Sequence, residues 1–169
     1  MADKACHVFG STTHVGLTQA LAGMSQRRVS IADDYGRHIA ALYLPFDSVD
    51  LENGNLEGLC ANGISTLRGR SFAGSSLYWA MLEGSDLSGC NFEGADLRGA
   101  NLERTLLTGA NLRRANLGKD NLGGPTRLQG ANLTDAVLNS CNLVGAEYDS
   151  DTRFPKGFNP DSAGMVAAG

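Results

Sequence analysis

The chain has 169 residues, of which 42% are hydrophobic and 19% are charged, and these proportions are typical of one soluble globular domain. Its formal net charge of −4, from 14 basic and 18 acidic residues, gives no reason to expect direct binding to nucleic acid. The sequence contains no run of about 18 apolar residues and no recognisable signal peptide, so we expect no membrane span and a cytoplasmic protein.

We expect residues 1–43 to form an N-terminal cap segment, because no clear period runs through them. The spacing of four apolar residues predicts a short helix over Ser11–Met24. Those residues are Val15, Leu17, Leu21 and Met24. The stretch His38–Leu44 is predicted to be a strand that leads into the next part of the chain.

The middle of the chain has a period of five residues. Leucine or phenylalanine fills twelve consecutive positions at this spacing: Leu67, Phe72, Leu77, Leu82, Leu87, Phe92, Leu97, Leu102, Leu107, Leu112, Leu117 and Leu122. The residue two places before is small in ten of the twelve units, and the residue two places after is glycine in eight. Neither a helix nor a flat strand has this period. The backbone must therefore turn once per unit, at a corner supplied by glycine, asparagine or aspartate.

Several units match one motif closely, among them Ala95–Gly99, Ala100–Arg104 and Ala131–Asp135. They resemble the unit of the pentapeptide-repeat family, A-(D/N)-L-x-x. The resemblance implies an all-β fold, a right-handed quadrilateral β-helix with four units per coil. Its Leu/Phe and small residues would face inward and the other three positions outward. We expect this solenoid to span residues 44–148 with about five coils, followed by a C-terminal cap and tail over 149–169.

Four units per coil imply that central residues twenty positions apart stack in columns. The predicted columns are Leu67–Leu87–Leu107, Phe72–Phe92–Leu112, Leu77–Leu97–Leu117 and Leu82–Leu102–Leu122. One-residue insertions within 59–64 and 123–127 would shift the count, so that Leu128 follows Leu107 at a spacing of 21. Both insertions would then lie near the same side or corner of the solenoid.

Two charged residues, Arg70 and Asp120, occupy the small inward position of their units. Because a buried charge without a partner is costly, we interpret them as local distortions of the repeat. At the other end of the solenoid, the family resemblance implies that Phe154 and Phe158 fold over the last coil.

No pattern in the sequence predicts catalysis, a cofactor or a metal site. The histidines are His7, His14 and His38, and they lack the further ligands of a zinc site. No serine has a nucleophile-elbow context. The cysteines are Cys6, Cys60, Cys90 and Cys141, which are far apart in the chain. In a cytoplasmic protein we expect all four to be free thiols.

The outward positions are the candidates for function. Tyr78 and Trp79 follow Leu77, while Arg98 and Lys119 lie beyond the next two central residues of the same column. We therefore predict a partner-binding strip of Tyr78, Trp79, Arg98 and Lys119, which combines aromatic area with positive charge. Such a strip suits a partner with an apolar groove rimmed by carboxylates. The competing interpretation is that the N-terminal segment covers Trp79.

These observations predict a non-enzymatic protein that presents a rigid surface to a protein partner, whose identity the sequence does not give. The family resemblance also offers an alternative, because some members protect DNA gyrase, a type II topoisomerase, from toxins or antibiotics. This chain departs from those members in its small number of coils, a basic cluster at mid-solenoid, and the lack of a long projecting loop or C-terminal dimerisation helix. The sequence does not decide whether the protein forms a homodimer through one end of the solenoid.

Overall fold

The computed structural model describes residues 26–32, 38–45, 51–65 and 67–168. The chain divides into two compact units, Met1–Val49 and Asp50–Gly169. The predicted domain bounds of 1–43, 44–148 and 149–169 stay predictions. In the described residues, no helix is long and apolar enough to cross a membrane.

The first unit contains an antiparallel hairpin. Strand β1 (Gln26–Ala32) pairs with strand β2 (His38–Pro45), and a register shift lies between Ile31 and Ala32. The strand predicted from His38 is thereby confirmed. The helix predicted over Ser11–Met24 falls outside the described residues.

The second unit is a four-sided solenoid built from five-residue units. Parallel bridges join residues one coil apart, as between Ser71 and Asn91 and between Asn91 and Asn111. In each coil the amide of a central residue donates to a carbonyl of the next coil, and Phe92 N lies 2.7 Å from Asn111 O. Two short parallel strands, β3 (Glu147–Tyr148) and β4 (Val166–Ala167), close the C-terminal end.

The central residues form four columns that fill the interior. They are Leu51–Phe72–Phe92–Leu112–Leu138, Leu56–Leu77–Leu97–Leu117–Leu143, Ala61–Leu82–Leu102–Leu128–Tyr148 and Leu67–Leu87–Leu107–Leu133–Phe154. Within these columns Phe72 and Phe92 stack with ring centroids 5.0 Å apart. The small inward residues are also buried, and Ser75 donates its hydroxyl to Phe72 O at 2.7 Å. Burial of one large apolar residue per unit provides the main stabilisation, at about 1.5–3 kcal/mol each.

The second insertion is longer than predicted. Asn101 bridges Arg127, a spacing of 26, so six residues rather than one are added to this coil. Leu128 therefore completes the column below Leu102, whereas Leu122 is 82% exposed. The predicted burial of Leu122 is wrong, because its spacing of five from Leu117 continues the period into a loop.

The first insertion adds one residue, as predicted, since Cys60 bridges Met81 at a spacing of 21 and Ser71 bridges Asn91 at 20. It follows the column of Ala61, and the second insertion precedes that column. The two insertions thus lie at neighbouring corners, at the two ends of the same side of the solenoid, so the predicted shared side is confirmed. The predicted stacking of Leu128 on Leu107 is wrong, because Leu106 bridges Asn132.

The C-terminal segment continues the stack. Arg153 bridges Asn132, which places Phe154 at the end of the column of Leu133. Phe158 stacks on Phe154 with ring centroids 5.1 Å apart. The two phenylalanines therefore meet at the last coil, as the family resemblance implied.

The cysteines do not all match the prediction. Cys90 and Cys141 are free thiols, as expected. Cys60 is disulfide-bonded, so the prediction of four free thiols is wrong. The redox state of a compartment favours or disfavours disulfides in general, but it does not determine which sulfur atoms the fold brings together.

Candidate interaction surface

The four residues predicted to form a binding strip lie on one side of the solenoid. We call this side the Leu97 face: the outward residues that follow the column of Leu56, Leu77, Leu97, Leu117 and Leu143. Tyr78 and Trp79 lie on one coil and Arg98 on the next, where Trp79 N donates to Arg98 O at 3.1 Å. Lys119 follows one coil later. The structure thus brings the four residues to the same face, and their role in binding stays a prediction.

Trp79 and Tyr78 form an aromatic pair whose ring centroids are 5.0 Å apart. Trp79 is 48% exposed, and its backbone has a φ of 57°, in the left-handed region. The corresponding position is glycine in most coils, because each unit turns there. The guanidinium of Arg98 lies over the Tyr78 ring, 5.3 Å from its centroid.

The charge of Arg98 is already compensated within the face. Its Nε donates to Asp96 Oδ1 at 2.9 Å and its Nη2 donates to Asp96 Oδ2 at 2.6 Å. These hydrogen bonds from Arg98 lower the pKa of Asp96 below its ordinary value, and the hydrogen bond to Asp96 raises the pKa of Arg98. Arg98 therefore contributes a fixed planar group to the strip, and Asp96 offsets the positive charge that we predicted there.

The six added residues, 120–125, form an insertion loop that Asp120 organises. Asp120 Oδ1 accepts hydrogen bonds from the amides of Leu122 at 2.8 Å and Gly124 at 2.7 Å. Asp120 N donates to Gly124 O at 2.8 Å. The inward position that the repeat assigned to Asp120 is taken by Thr126, which is fully buried. Asp120 is thus no buried charge but the residue around which the loop folds.

Three hydrogen bonds fasten the insertion loop to the strip: two involve the aromatic pair and one involves Arg98. Trp79 Nε1 donates to Asp120 Oδ2 at 2.6 Å, and this bond is the main reason that the pKa of Asp120 lies below its ordinary value. Arg98 Nη1 donates to Asn121 Oδ1 at 3.1 Å, and Asn121 N donates to Tyr78 Oη at 3.2 Å. The loop and the strip therefore form one connected structure.

Glycines make room for two of the strip's side chains. A Cβ at Gly99 would overlap the indole of Trp79 and would lie 2.7 Å from its Nε1. A Cβ at Gly145 would lie 2.9 Å from Lys119 Cγ, so the aliphatic part of Lys119 lies across that glycine. Between residues 51 and 168, apart from the undescribed residue 66, Lys119 forms no ion pair.

Asp120, Asn121 and Leu122 also belong to this surface, although the repeat pattern did not place them there. The sequence does contain one pattern that indicates a turn here. An aspartate lies four residues before Gly124, which precedes a proline, and this combination is typical of a turn capped by a side chain. The hydrogen bond between Trp79 and Asp120 spans 41 residues of sequence, and no local pattern predicts it. Within the described part of the chain, no group of three or more metal-ligating side chains could hold an ion.

Comparison with known proteins identifies the repeat. The family model described as pentapeptide repeats matches residues 85–119 and 126–147, with eight copies, and the gap between the two matches coincides with the insertion loop. No curated protein matches the chain.

Several solved structures are similar in sequence. A pentapeptide repeat protein from Nostoc Pcc 7120 is 29% identical over 71% of this chain and 83% of that chain, with a TM-score of 0.28. Rfr23 from the cyanobacterium Cyanothece 51142 is 27% identical over 66% and 71%, with a TM-score of 0.37. A pentapeptide repeat protein from the thylakoid lumen of Arabidopsis thaliana is 32% identical over 59% and 72%, with a TM-score of 0.33. With the repeat matched in sequence and its coils present in the structure, the chain belongs to the pentapeptide-repeat family and folds as a right-handed quadrilateral β-helix.

Proposed function

We propose that this protein is a non-enzymatic binding module that uses its Leu97 face to hold a protein partner. The residues that would make the contact are Tyr78, Trp79, Arg98 and Lys119. The observation that carries the proposal is the position of Trp79, which the fold does not require and which is exposed to solvent.

Trp79 has a conformation that costs stability. Its φ of 57° is left-handed, and for a residue with a Cβ this conformation costs about 1–2 kcal/mol. The solenoid core gains nothing in return, because the side chain faces outward and is 48% exposed. Five other described non-glycine residues share this left-handed turn conformation, so the distinguishing feature of Trp79 is the exposed indole that this turn presents. Tryptophan, tyrosine and arginine are also the residue types that dominate binding energy at interfaces.

The contact residues are held in place before any partner binds. Asp120 fixes the indole of Trp79, Asp96 fixes the guanidinium of Arg98, and Arg98 in turn lies over Tyr78. Side chains that are already immobilised lose little conformational entropy on docking, which improves affinity without new contacts. A rigid solenoid face is therefore well suited to binding.

Affinity capture from a lysate of the source cells tests the proposal with three baits: the wild-type chain, Trp79→Gly and Arg114→Gly. Arg114 is a matched control because it has the same left-handed backbone, with a φ of 56°, and lies on a different face. We expect a protein that the wild type and Arg114→Gly retain and that Trp79→Gly loses. Identical captured proteins on all three baits would contradict the proposal.

Gyrase protection is the alternative function. The wild-type chain, Trp79→Gly and Arg114→Gly also test whether gyrase is the partner. A gyrase supercoiling assay with a quinolone would be the measurement. Relief of inhibition by the wild type and by Arg114→Gly, but not by Trp79→Gly, would make a type II topoisomerase the partner of the Leu97 face.

A further inference from the structure

We infer that the partner of the Leu97 face is a second copy of this chain, which packs face to face against it with the two solenoids antiparallel. The inference rests on the proposed function, because it names the partner of that same face. It follows from the positions of two unpaired charges and of the exposed indole along the five coils, which we number from the coil of Leu56 to the coil of Leu143.

The face has an unpaired charge of opposite sign near each end. Glu57 on the first coil and Lys119 on the fourth are both exposed, and neither forms an ion pair in the part of the solenoid that the structure describes. Arg98, which lies between them, is already bonded to Asp96. The partner should therefore offer a cation opposite Glu57 and an anion opposite Lys119, and a reversed copy of the same face offers both.

The side chain of Lys119 extends from the fourth coil to the fifth, since a Cβ at Gly145 would lie 2.5 Å from Lys119 Cε. The third coil thus lies midway between the two charges. A two-fold axis that crosses the face at the third coil, perpendicular to the solenoid, exchanges the first coil with the fifth. It would bring the Lys119 ammonium of each copy over Gly58 of the other, beside Glu57, where no side chain blocks it.

The exposed indole lies at the same midpoint. Trp79 belongs to the second coil, but a Cβ at Gly99 on the third coil would lie 2.7 Å from its Nε1, so the indole extends over the third coil. An exposed group on a two-fold axis meets its own copy, because the contact is isologous. The two indoles would therefore stack on each other at the centre of the contact, where aromatic side chains contribute most to binding. The insertion loop lies beside the indole, so its exposed Leu122 would widen this apolar centre.

The same charges exclude the parallel arrangement. A two-fold axis along the solenoid would place Glu57 opposite Glu57 and Lys119 opposite Lys119, and like charges that face each other across an interface oppose association. In the antiparallel arrangement, by contrast, each charge of the face is complemented by the other charge of the same face. Charge reversal at the two positions therefore distinguishes a second copy from an unrelated partner.

Sedimentation velocity of the full-length chain measures this association directly. One face of five coils is only about 24 Å long, so the contact is smaller than that of a standard complex. We therefore expect the wild type to pass from monomer to dimer at concentrations on the order of 10 to 100 µM. Trp79→Gly, Glu57→Lys and Lys119→Glu should each weaken the dimer about tenfold or more.

Glu52→Lys is the matched control. Glu52 occupies the same position as Glu57 on the neighbouring face of the same coil, and each carboxylate accepts a hydrogen bond from a serine hydroxyl of the next coil, Ser71 or Ser76. This variant should dimerise like the wild type. An equimolar mixture of Glu57→Lys and Lys119→Glu should recover the dimer, because both charge pairs of the mixed dimer are again of opposite sign. The double variant that carries both reversals should recover it for the same reason.

Each outcome decides the inference. A dimer that both single reversals weaken and their mixture recovers supports it. A wild type that stays monomeric, a dimer that Trp79→Gly does not weaken, or paired reversals that do not recover the dimer all overturn it. The proposed function then still stands if affinity capture retains a different protein on the wild type and loses it on Trp79→Gly. A monomeric wild type together with identical captured proteins on all three baits counts against both.

Discussion

Two leucines of this chain occupy the same position of the period, but the same substitution should destabilise the protein strongly at one and hardly at all at the other. Leu97 is 1% exposed and lies between Leu77 and Leu117 in its column, whereas Leu122 is 82% exposed on the insertion loop. The backbone around Leu97 is hydrogen-bonded to both neighbouring coils, since Leu97 N donates to Asn116 O and Asp96 N donates to Ser75 O. Leu97→Ala therefore removes a side chain from a rigid part of the core. The cavity can collapse little, so we expect a loss of about 3–5 kcal/mol in the free energy of unfolding.

Leu122→Ala should change the free energy of unfolding by less than about 0.5 kcal/mol, because little apolar surface is buried there. Urea titration followed by circular dichroism measures both variants. With a denaturant slope of about 2 kcal/mol per molar urea, Leu97→Ala should lower the midpoint by roughly 2 M and Leu122→Ala by less than about 0.3 M. Equal shifts for the two leucines would refute the assignment of the six-residue insertion.

Three further predictions concern the aromatic pair and the cysteines. Trp79→Gly should keep the free energy of unfolding within about 1 kcal/mol of the wild type in a urea titration, because relief of the left-handed strain offsets the lost hydrogen bond. The pKa of Asp120 is depressed below its ordinary 3.8, so the bond to the indole should persist above that pH and be lost as the pH falls below it. The emission of Trp79, the only tryptophan, should report this step, and Asp120→Asn should lack it. Burial raises the pKa of Cys90 to about 11 and that of Cys141 to about 12. Mass spectrometry should therefore find buried Cys90 alkylated only after unfolding, half-buried Cys141 alkylated slowly in the native protein, and Cys60 alkylated only after reduction.

The core of the solenoid could be predicted from the sequence because its signal is local and repeated. A large residue every five positions, a small residue two places before it and a glycine two places after it specify the coil without information from distant parts of the chain. The length of the second insertion could not be obtained in this way, since Leu122 continues the leucine spacing by coincidence. Asp120 fills the small inward position of the same unit, where a buried charge would be costly. This departure from the repeat indicates the loop better than the leucine spacing does.

The interaction surface was only partly predictable. The four strip residues follow one column, so the period alone places them on one face. Their chemistry depends on neighbours that the period does not specify: Asp96 neutralises Arg98, and Asp120 holds Trp79 across 41 residues. The first contact is local to one unit, whereas the second arises from the conformation of the insertion loop. For the same reason, the disulfide at Cys60 could not be inferred from the spacing of the cysteines.

A pair of glycine substitutions tests whether the fixed position of Trp79 is a property of the Leu97 face. Gly99 and Gly89 have nearly the same left-handed φ, 69° and 67°, so replacement by alanine should cost about the same 1–2 kcal/mol of backbone strain at each. A Cβ at Gly89 meets no atom within 4 Å, whereas a Cβ at Gly99 would overlap the indole and would lie 3.1 Å from Asp120 Oδ2.

Gly99→Ala should therefore displace Trp79 from Asp120 although neither residue is changed. We expect tryptophan emission and acrylamide quenching to differ from the wild type in Gly99→Ala and to match it in Gly89→Ala. Ligands of the Leu97 face should lose affinity for the first variant alone. Identical emission from the two variants would mean that the indole does not lie over Gly99. Trp79 would then not be held in place before its partner binds, because that requires the indole to lie between Gly99 and Asp120.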